Sequence, residues 1–192
     1  MYNPCMDKKM KIVGICGSLR KDSLNRKALN VSKKFFPENV EFEIVGIGDL
    51  PLFNQDLEAD PPQSVSKFRE KIKSSDGILF AMPEYNYSVS SALKNAIEWG
   101  SRPYGTAVLT GKPAAIMGVS AGMMGTGRAQ YHFRQICVQV NINLFNKPEI
   151  LIPFGQDKFG QDGNMTDKHT EEKIKELVDA LIVWTKKFSN PM

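Results

Sequence analysis

The stretch Gly77-Ile78-Leu79-Phe80-Ala81-Met82-Pro83-Glu84-Tyr85-Asn86-Tyr87 decides how this chain folds. Six residues without a charge, ended by a proline, read as a strand buried on both faces. Pro83 has no N–H to continue a ladder, so the strand stops there. Downstream, Val89, Leu93, Ala96 and Ile97 recur at helical spacing, with Lys94, Asn95 and Glu98 on the other side. A strand that ends in proline and then presents two tyrosines and an asparagine puts flat, hydrogen-bonding surfaces at the rim of a sheet. In open α/β sheets that rim binds ligands. The expected guest is flat and aromatic.

The same alternation extends outward in both directions. Lys11 to Cys16 is a β-rich run, and Leu24, Ala28, Val31 and Phe35 then mark one face of a helix. Val40-Glu41-Phe42-Glu43-Ile44 alternates apolar and polar, as a half-exposed edge strand does. A long Pro-rich connection from Gly48 to Pro62 precedes a helix carrying Val65, Phe68 and Ile72. Pro113 to Val119 is another continuous apolar strand, followed by a glycine-rich turn and a helix with Ala129, Phe133, Ile136 and Val140. The last strand falls within Asn141 to Ile152, interrupted at Asn146-Lys147-Pro148, and a closing helix carries Ile174, Leu177, Val178, Leu181 and Phe188. Strands alternating with helices imply a doubly wound parallel sheet with helices on both faces. The continuous first, third and fourth strands are central and the alternating second is an edge. This predicts a five-stranded, flavodoxin-like α/β fold of order 2-1-3-4-5, with its switch point between the first and third strands.

The 192 residues suit one domain, 10–192, after a tail at 1–9 that is expected to be flexible. A hydrophobic share of 42% and a charged share of 24% are those of a soluble globular protein. The net charge of +4 is mild, and no basic stretch has the density or aromatic interleaving that nucleic acid needs. Cys5, Cys16 and Cys137 are too scattered for a disulfide framework or a metal site. With no signal peptide or membrane-spanning run, a cytoplasmic location is expected.

Gly17-Ser18-Leu19-Arg20-Lys21-Asp22-Ser23-Leu24-Asn25 joins the first strand to the first helix. A helix start offers unpaired N–H groups and a positive dipole end to an anion. Ser18, Ser23 and Asn25 add short donors, and Arg20 adds a guanidinium fork suited to phosphate oxygens. Capping by Ser23 or Asp22, with Arg20 solvated, is the plain structural alternative. Gly14-x-x-Gly17 lacks GxGxxG spacing and no GKS or GKT follows, so one terminal phosphate fits better than a dinucleotide.

Taken together, residues 17–25 and Pro83-Glu84-Tyr85-Asn86-Tyr87-Ser88 followed by Leu93-Lys94-Asn95-Ala96-Ile97-Glu98-Trp99 closely resemble the NADPH-dependent FMN reductase family. Ser120-Ala121-Gly122-Met123-Met124-Gly125 and Arg128-Ala129-Gln130-Tyr131-His132-Phe133 agree with it. Ser90-Ser91-Ala92 stands where relatives often carry Pro-Gly-Gly. The resemblance implies that Ser18, Arg20, Ser23 and Asn25 hold an FMN phosphate. It implies that Pro83, Glu84, Tyr85, Asn86 and Tyr87 lie along the ring system, and that Ser120 and Gly122 close its other side. It also implies NADPH or NADH as hydride donor, transfer through the flavin N5 by a ping-pong cycle, and a quinone or similar acceptor, with chromate, azo and nitro compounds in the same class. A homodimer or homotetramer comes with the family. No side chain has to act as acid or base, so none is assigned a catalytic role. Two other classes remain open: a flavin-binding electron carrier or redox sensor without turnover, and a binding protein for another phosphorylated ligand.

Overall fold

The computed structural model describes residues 9–189. Residues 1–8, which contain Cys5 and nearly all of the expected tail, lie outside the described residues. Strand β1 (Met10–Cys16) leads into helix α1 (Leu24–Ser32), and β2 (Val40–Val45) precedes α2 (Gln63–Lys73). Strand β3 (Gly77–Ala81) is followed by the short strands β4 (Glu84–Tyr85) and β5 (Ser88–Val89), then α3 (Ser91–Gly100). Strand β6 (Pro113–Val119), α4 (Gly127–Val140), β7 (Asn143–Leu144), β8 (Ile150–Ile152) and α5 (Lys168–Ser189) complete the order.

The main sheet is parallel, in the order β2-β1-β3-β6-β7, with β8 also paired to β6. The expected fifth position is therefore shared by two short strands. Strand β7 pairs with Pro113 and Ala114, and β8 pairs with Met117 to Val119. Pro148 lies between them and has no N–H to give the ladder. Strand β2 keeps its edge character, with Glu41 and Glu43 outward.

Alternate residues of the central strands feed two separate cores. Val13, Ile15, Ile78 and Phe80 pack on one face with Phe68, Ile72, Trp99 and Phe133 from α2, α3 and α4. Ile12, Leu79, Ala81 and Met117 pack on the other with Ala28, Leu29, Ile174, Leu177 and Leu181 from α1 and α5. Cys16 and Cys137 are buried, as small apolar residues would be, and burial pushes the Cys137 thiol up to about 12.

Helix α5 is anchored at its start by Asp167, which accepts the Thr170 N–H at 2.8 Å and the Lys158 ammonium at 2.9 Å. Hydrogen bonds from Thr170 and Lys158 hold its carboxyl well below the usual range. A depressed carboxyl contributes stability above its unfolded value, near 3.9, and loses that contribution as pH falls through the folded one. Asp167→Asn keeps a capping oxygen but removes the charge. It is expected to lower stability by about 1 kcal/mol at neutral pH. Urea titrations should show that gap closing below about pH 4.

Candidate active site at the switch point

Three loops leave the carboxyl ends of β1, β3 and β6 and meet in one cleft of about 260 Å³. Ser18, Arg20, Ser23 and Asn25 line it from the first loop, Pro83, Glu84 and Tyr85 from the second, and Ser120 from the third. These are eight of the residues singled out from the sequence. Asn86 and Tyr87 sit instead at the tip of a hairpin, and Gly122 is outside the lining.

The first loop is shaped by short polar contacts. Ser23 caps α1, its hydroxyl accepting the Arg26 N–H at 3.2 Å. Capping leaves the N–H groups of Leu24 and Asn25, in the first helical turn, without an intrahelical acceptor. Ser18 accepts the Arg20 N–H at 3.4 Å, while the Arg20 side chain is exposed. Asn25 does something the sequence did not suggest. Its amide donates to the Val119 carbonyl and accepts the Val119 N–H, both at 2.9 Å. The side chain expected to donate to an anion is thus spent on tying the first loop to the end of β6.

Gly17 is where the first and second loops touch. Its N–H donates to the Ala81 carbonyl at 2.9 Å and its own carbonyl accepts the Ser90 hydroxyl at 2.7 Å. Ser90 also accepts the Leu93 N–H at 3.3 Å and so caps α3. The Ser90-Ser91-Ala92 departure therefore supplies its own way of entering that helix.

The second loop is a two-residue hairpin between β4 and β5. Asn86 and Tyr87 both have positive φ, 50° and 67°, which is the requirement of a type I′ turn. Its Glu84 carboxylate points to α4, receiving Arg128 at 3.0 Å and the Ala129 N–H at 3.2 Å. Ser88 and His132 meet at 3.0 Å farther along the same helix. Neither Tyr131 nor Glu149 joins this group; they contact each other at 3.3 Å, and Lys147 pairs with Glu149. Arg102 lies elsewhere, its Nε 3.2 Å from Glu58 and its guanidinium 3.9 Å over the Tyr104 ring.

Ala121, Leu24, Val119, Asp22 and Gln156 line the cleft too, though sequence reading had not placed them there. Asp22 is a carboxylate in an otherwise cationic loop, and the Lys27 ammonium 2.6 Å away pairs it. The hydrogen bond from Lys27 lowers its pKa. Gln156 arrives on the turn after β8, where Phe154 adopts φ 49°.

Residues 10–157 match the model of the NADPH-dependent FMN reductase family. The chain belongs to that family. It is 43% identical to an NAD(P)H-dependent FMN reductase of Pseudomonas aeruginosa over 183 residues, covering 95% of this chain and 98% of the relative. It is 38% identical to a 2-hydroxy-1,4-benzoquinone reductase of a Burkholderia species, covering 92% and 97% of the two chains. Among solved structures it resembles FerB, a flavoenzyme NAD(P)H:(acceptor) oxidoreductase from Paracoccus denitrificans. The TM-score is 0.86 at 39% identity, with 93% of this chain and 98% of that one covered.

The donor set suits FMN. One end of the cleft carries hydroxyls, a guanidinium and a helix start, as a phosphate requires, and the other carries a proline and a tyrosine against which a flat ring can lie. Both carboxylates on its wall are paired with cations, Asp22 with Lys27 and Glu84 with Arg128. A cleft prepared for an anion needs that cancellation.

Proposed function

We propose that residues 10–192 form a single FMN-binding domain that passes electrons from NADPH or NADH to quinones and similar small acceptors, by a ping-pong cycle. The supporting observation is the convergence of a hydroxyl-and-guanidinium loop and a proline-and-tyrosine loop on one cleft at the switch point of the sheet. Bound FMN supplies the redox chemistry, accepting hydride at N5 and releasing it or single electrons. The chain's own part is to hold, orient and leave open. Ser18, Ser23 and Arg20 hold the phosphate, with the first-turn N–H groups of α1 behind them. Asn25 acts through Val119, fixing the distance between the phosphate loop and the loop bearing Ser120 and Gly122. Pro83, Glu84, Tyr85, Asn86 and Tyr87 form the wall along the ring, and Tyr85, 47% exposed, offers a flat face to ring or nicotinamide. No side chain is assigned acid or base work.

The protein is expected to purify yellow, to bleach with NADPH or NADH under anaerobic conditions and to regain colour on addition of a quinone. Colourless protein that takes up no FMN would overturn the reading. Yellow protein indifferent to both nucleotides would make it a carrier or sensor instead.

Replacing Arg20 by alanine removes one charge-assisted phosphate contact. FMN affinity should fall about tenfold, roughly 1.4 kcal/mol. Fluorescence titration of the apoprotein checks this, and the loss should shrink at high salt because the contact is exposed. Unchanged affinity would remove Arg20 from the site.

We further propose a homodimer or homotetramer located in the cytoplasm, acting on small molecules and not on nucleic acid or membranes. Among the described residues no helix is long and apolar enough to cross a membrane. Light scattering that reports a monomer at micromolar concentration would remove the oligomer.

A further inference from the structure

The hairpin β4–β5 carries an unusual cost for its position. A type I′ turn is ordinarily made by Asn-Gly, because both residues need positive φ and asparagine and glycine adopt it most readily. Here the second residue is Tyr87, at φ 67°. An aromatic residue in the left-handed region is strained, and such strain persists where the surroundings over-determine it. What Tyr87 supplies and glycine cannot is a ring, and the Arg128 guanidinium lies 3.9 Å from its centroid. The same guanidinium donates to Glu84 at 3.0 Å. The other oxygen of Glu84 accepts the Ala129 N–H, in the first turn of α4, at 3.2 Å.

Glu84 lines the cleft beside Pro83 and Tyr85, the residues proposed to lie along the ring, and its side chain is only 10% exposed. Solvent therefore screens it weakly. FMN gains negative charge on reduction, so an uncompensated carboxylate beside it would oppose reduction. Arg128, 38% exposed, does not line the cleft itself; its guanidinium lies over the Tyr87 ring and meets the Glu84 carboxylate that does.

We propose that Arg128 is a positioning residue that sets the charge beside the flavin. Stacked on Tyr87, it cancels Glu84 and so raises the potential at which the cofactor is reduced. The assignment rests on the FMN reading above. It gives the strained turn a purpose: the tyrosine holds the cation, the cation cancels the acid, and the acid fixes the hairpin to α4.

The test is a charge cycle on the purified, FMN-loaded protein, with Arg128→Gln, Glu84→Gln and the double variant. Midpoint potentials come from anaerobic dye equilibration, alongside the affinity for oxidised FMN. Arg128→Gln should raise the ratio of reduced-FMN to oxidised-FMN dissociation constants about tenfold, lowering the two-electron potential by about 30 mV. Glu84→Gln should move the potential upward, and the double variant should return close to the parent. Arg128→Lys keeps the charge and should keep the potential, which preserves the test if the glutamine variant folds poorly. Single variants that shift the potential in the same direction, or leave it unmoved, would overturn the proposal and leave Arg128 a mere tether. Parent protein that takes up no FMN would overturn the functional reading itself, a result visible before any variant is made.

Discussion

Asn25→Leu should cost the apoprotein about 3 kcal/mol and lower its melting temperature by about 8 °C. The residue is buried and its amide closes a two-bond ring with the backbone of Val119, 94 residues away. Leucine is close to asparagine in size, so the chief change is chemical. The Val119 N–H and carbonyl lose their side-chain partner in a place that water reaches poorly. Leaving a buried donor or acceptor unsatisfied costs about 1–3 kcal/mol each, far more than the net worth of a made bond. FMN affinity should drop with stability, because the same ring sets the separation of the loop after β1, proposed to hold the phosphate, from the loop after β6. Denaturant melts of the apoprotein keep ligand linkage out of the stability figure, and flavin titration gives the second number. Asn25→Asp is the informative companion. At neutral pH its carboxylate accepts the Val119 N–H but has no donor for the carbonyl, whereas the protonated acid can do both, so the aspartate variant should regain stability relative to the parent as pH falls. A leucine variant as stable as the parent would mean that the ring contributes little.

The strand order was legible because burial writes itself into local pattern. Gly77 to Met82 and Pro113 to Val119 are uninterrupted apolar runs, whereas Val40 to Ile44 alternates, and the sheet places them at centre and edge accordingly. The break in the fifth strand was visible at Asn146-Lys147-Pro148. The hairpin was hidden, since its strands are two residues long and its turn is Asn-Tyr in place of Asn-Gly. No local signal announces a tyrosine at positive φ, and its partner, the Arg128 guanidinium over its ring, lies far along the chain. Distance along the chain hid the remainder. Asn25 finds Val119, Glu84 finds Arg128 44 positions later, and Gln156 reaches the cleft from the far side of β8. Asn25 and Glu84 were noticeable as residue types but their partners depended on the crossover geometry of the finished sheet, and nothing local marked Gln156. Eight of the eleven residues picked out for cofactor contact nevertheless share one cleft, because both loops follow strands that adjoin at the switch point.

Gly17→Val should be the most damaging single change at the site, with a loss of about 3 kcal/mol and of most flavin binding. The reason is space and not backbone freedom. A Cβ on Gly17 would stand 2.9 Å from Pro83 Cδ, 3.1 Å from Ser90 Oγ and 3.2 Å from Leu93 Cβ. Two elements press on that point: the proline that follows β3, and the start of α3 with Ser90 and Leu93. Neither can yield cheaply. Pro83 is buried and ring-locked, and Ser90 is committed both to the Gly17 carbonyl and to the Leu93 N–H. A methyl group alone, in Gly17→Ala, already forces the ring-locked Pro83 to shift and should cost about 2 kcal/mol, whereas the branched side chain must push the loops farther apart. Parting them widens the cleft between the Ser18 and Ser23 hydroxyls and Tyr85, so on the proposed FMN reading the penalty should fall more heavily on the holoprotein. The measurement is the difference between melting temperatures with and without saturating FMN. That difference should shrink in Gly17→Ala and nearly vanish in Gly17→Val. If both variants keep the parent's FMN-induced rise while losing stability, the loops are not held at a working separation by Gly17, and its tight packing serves the core alone.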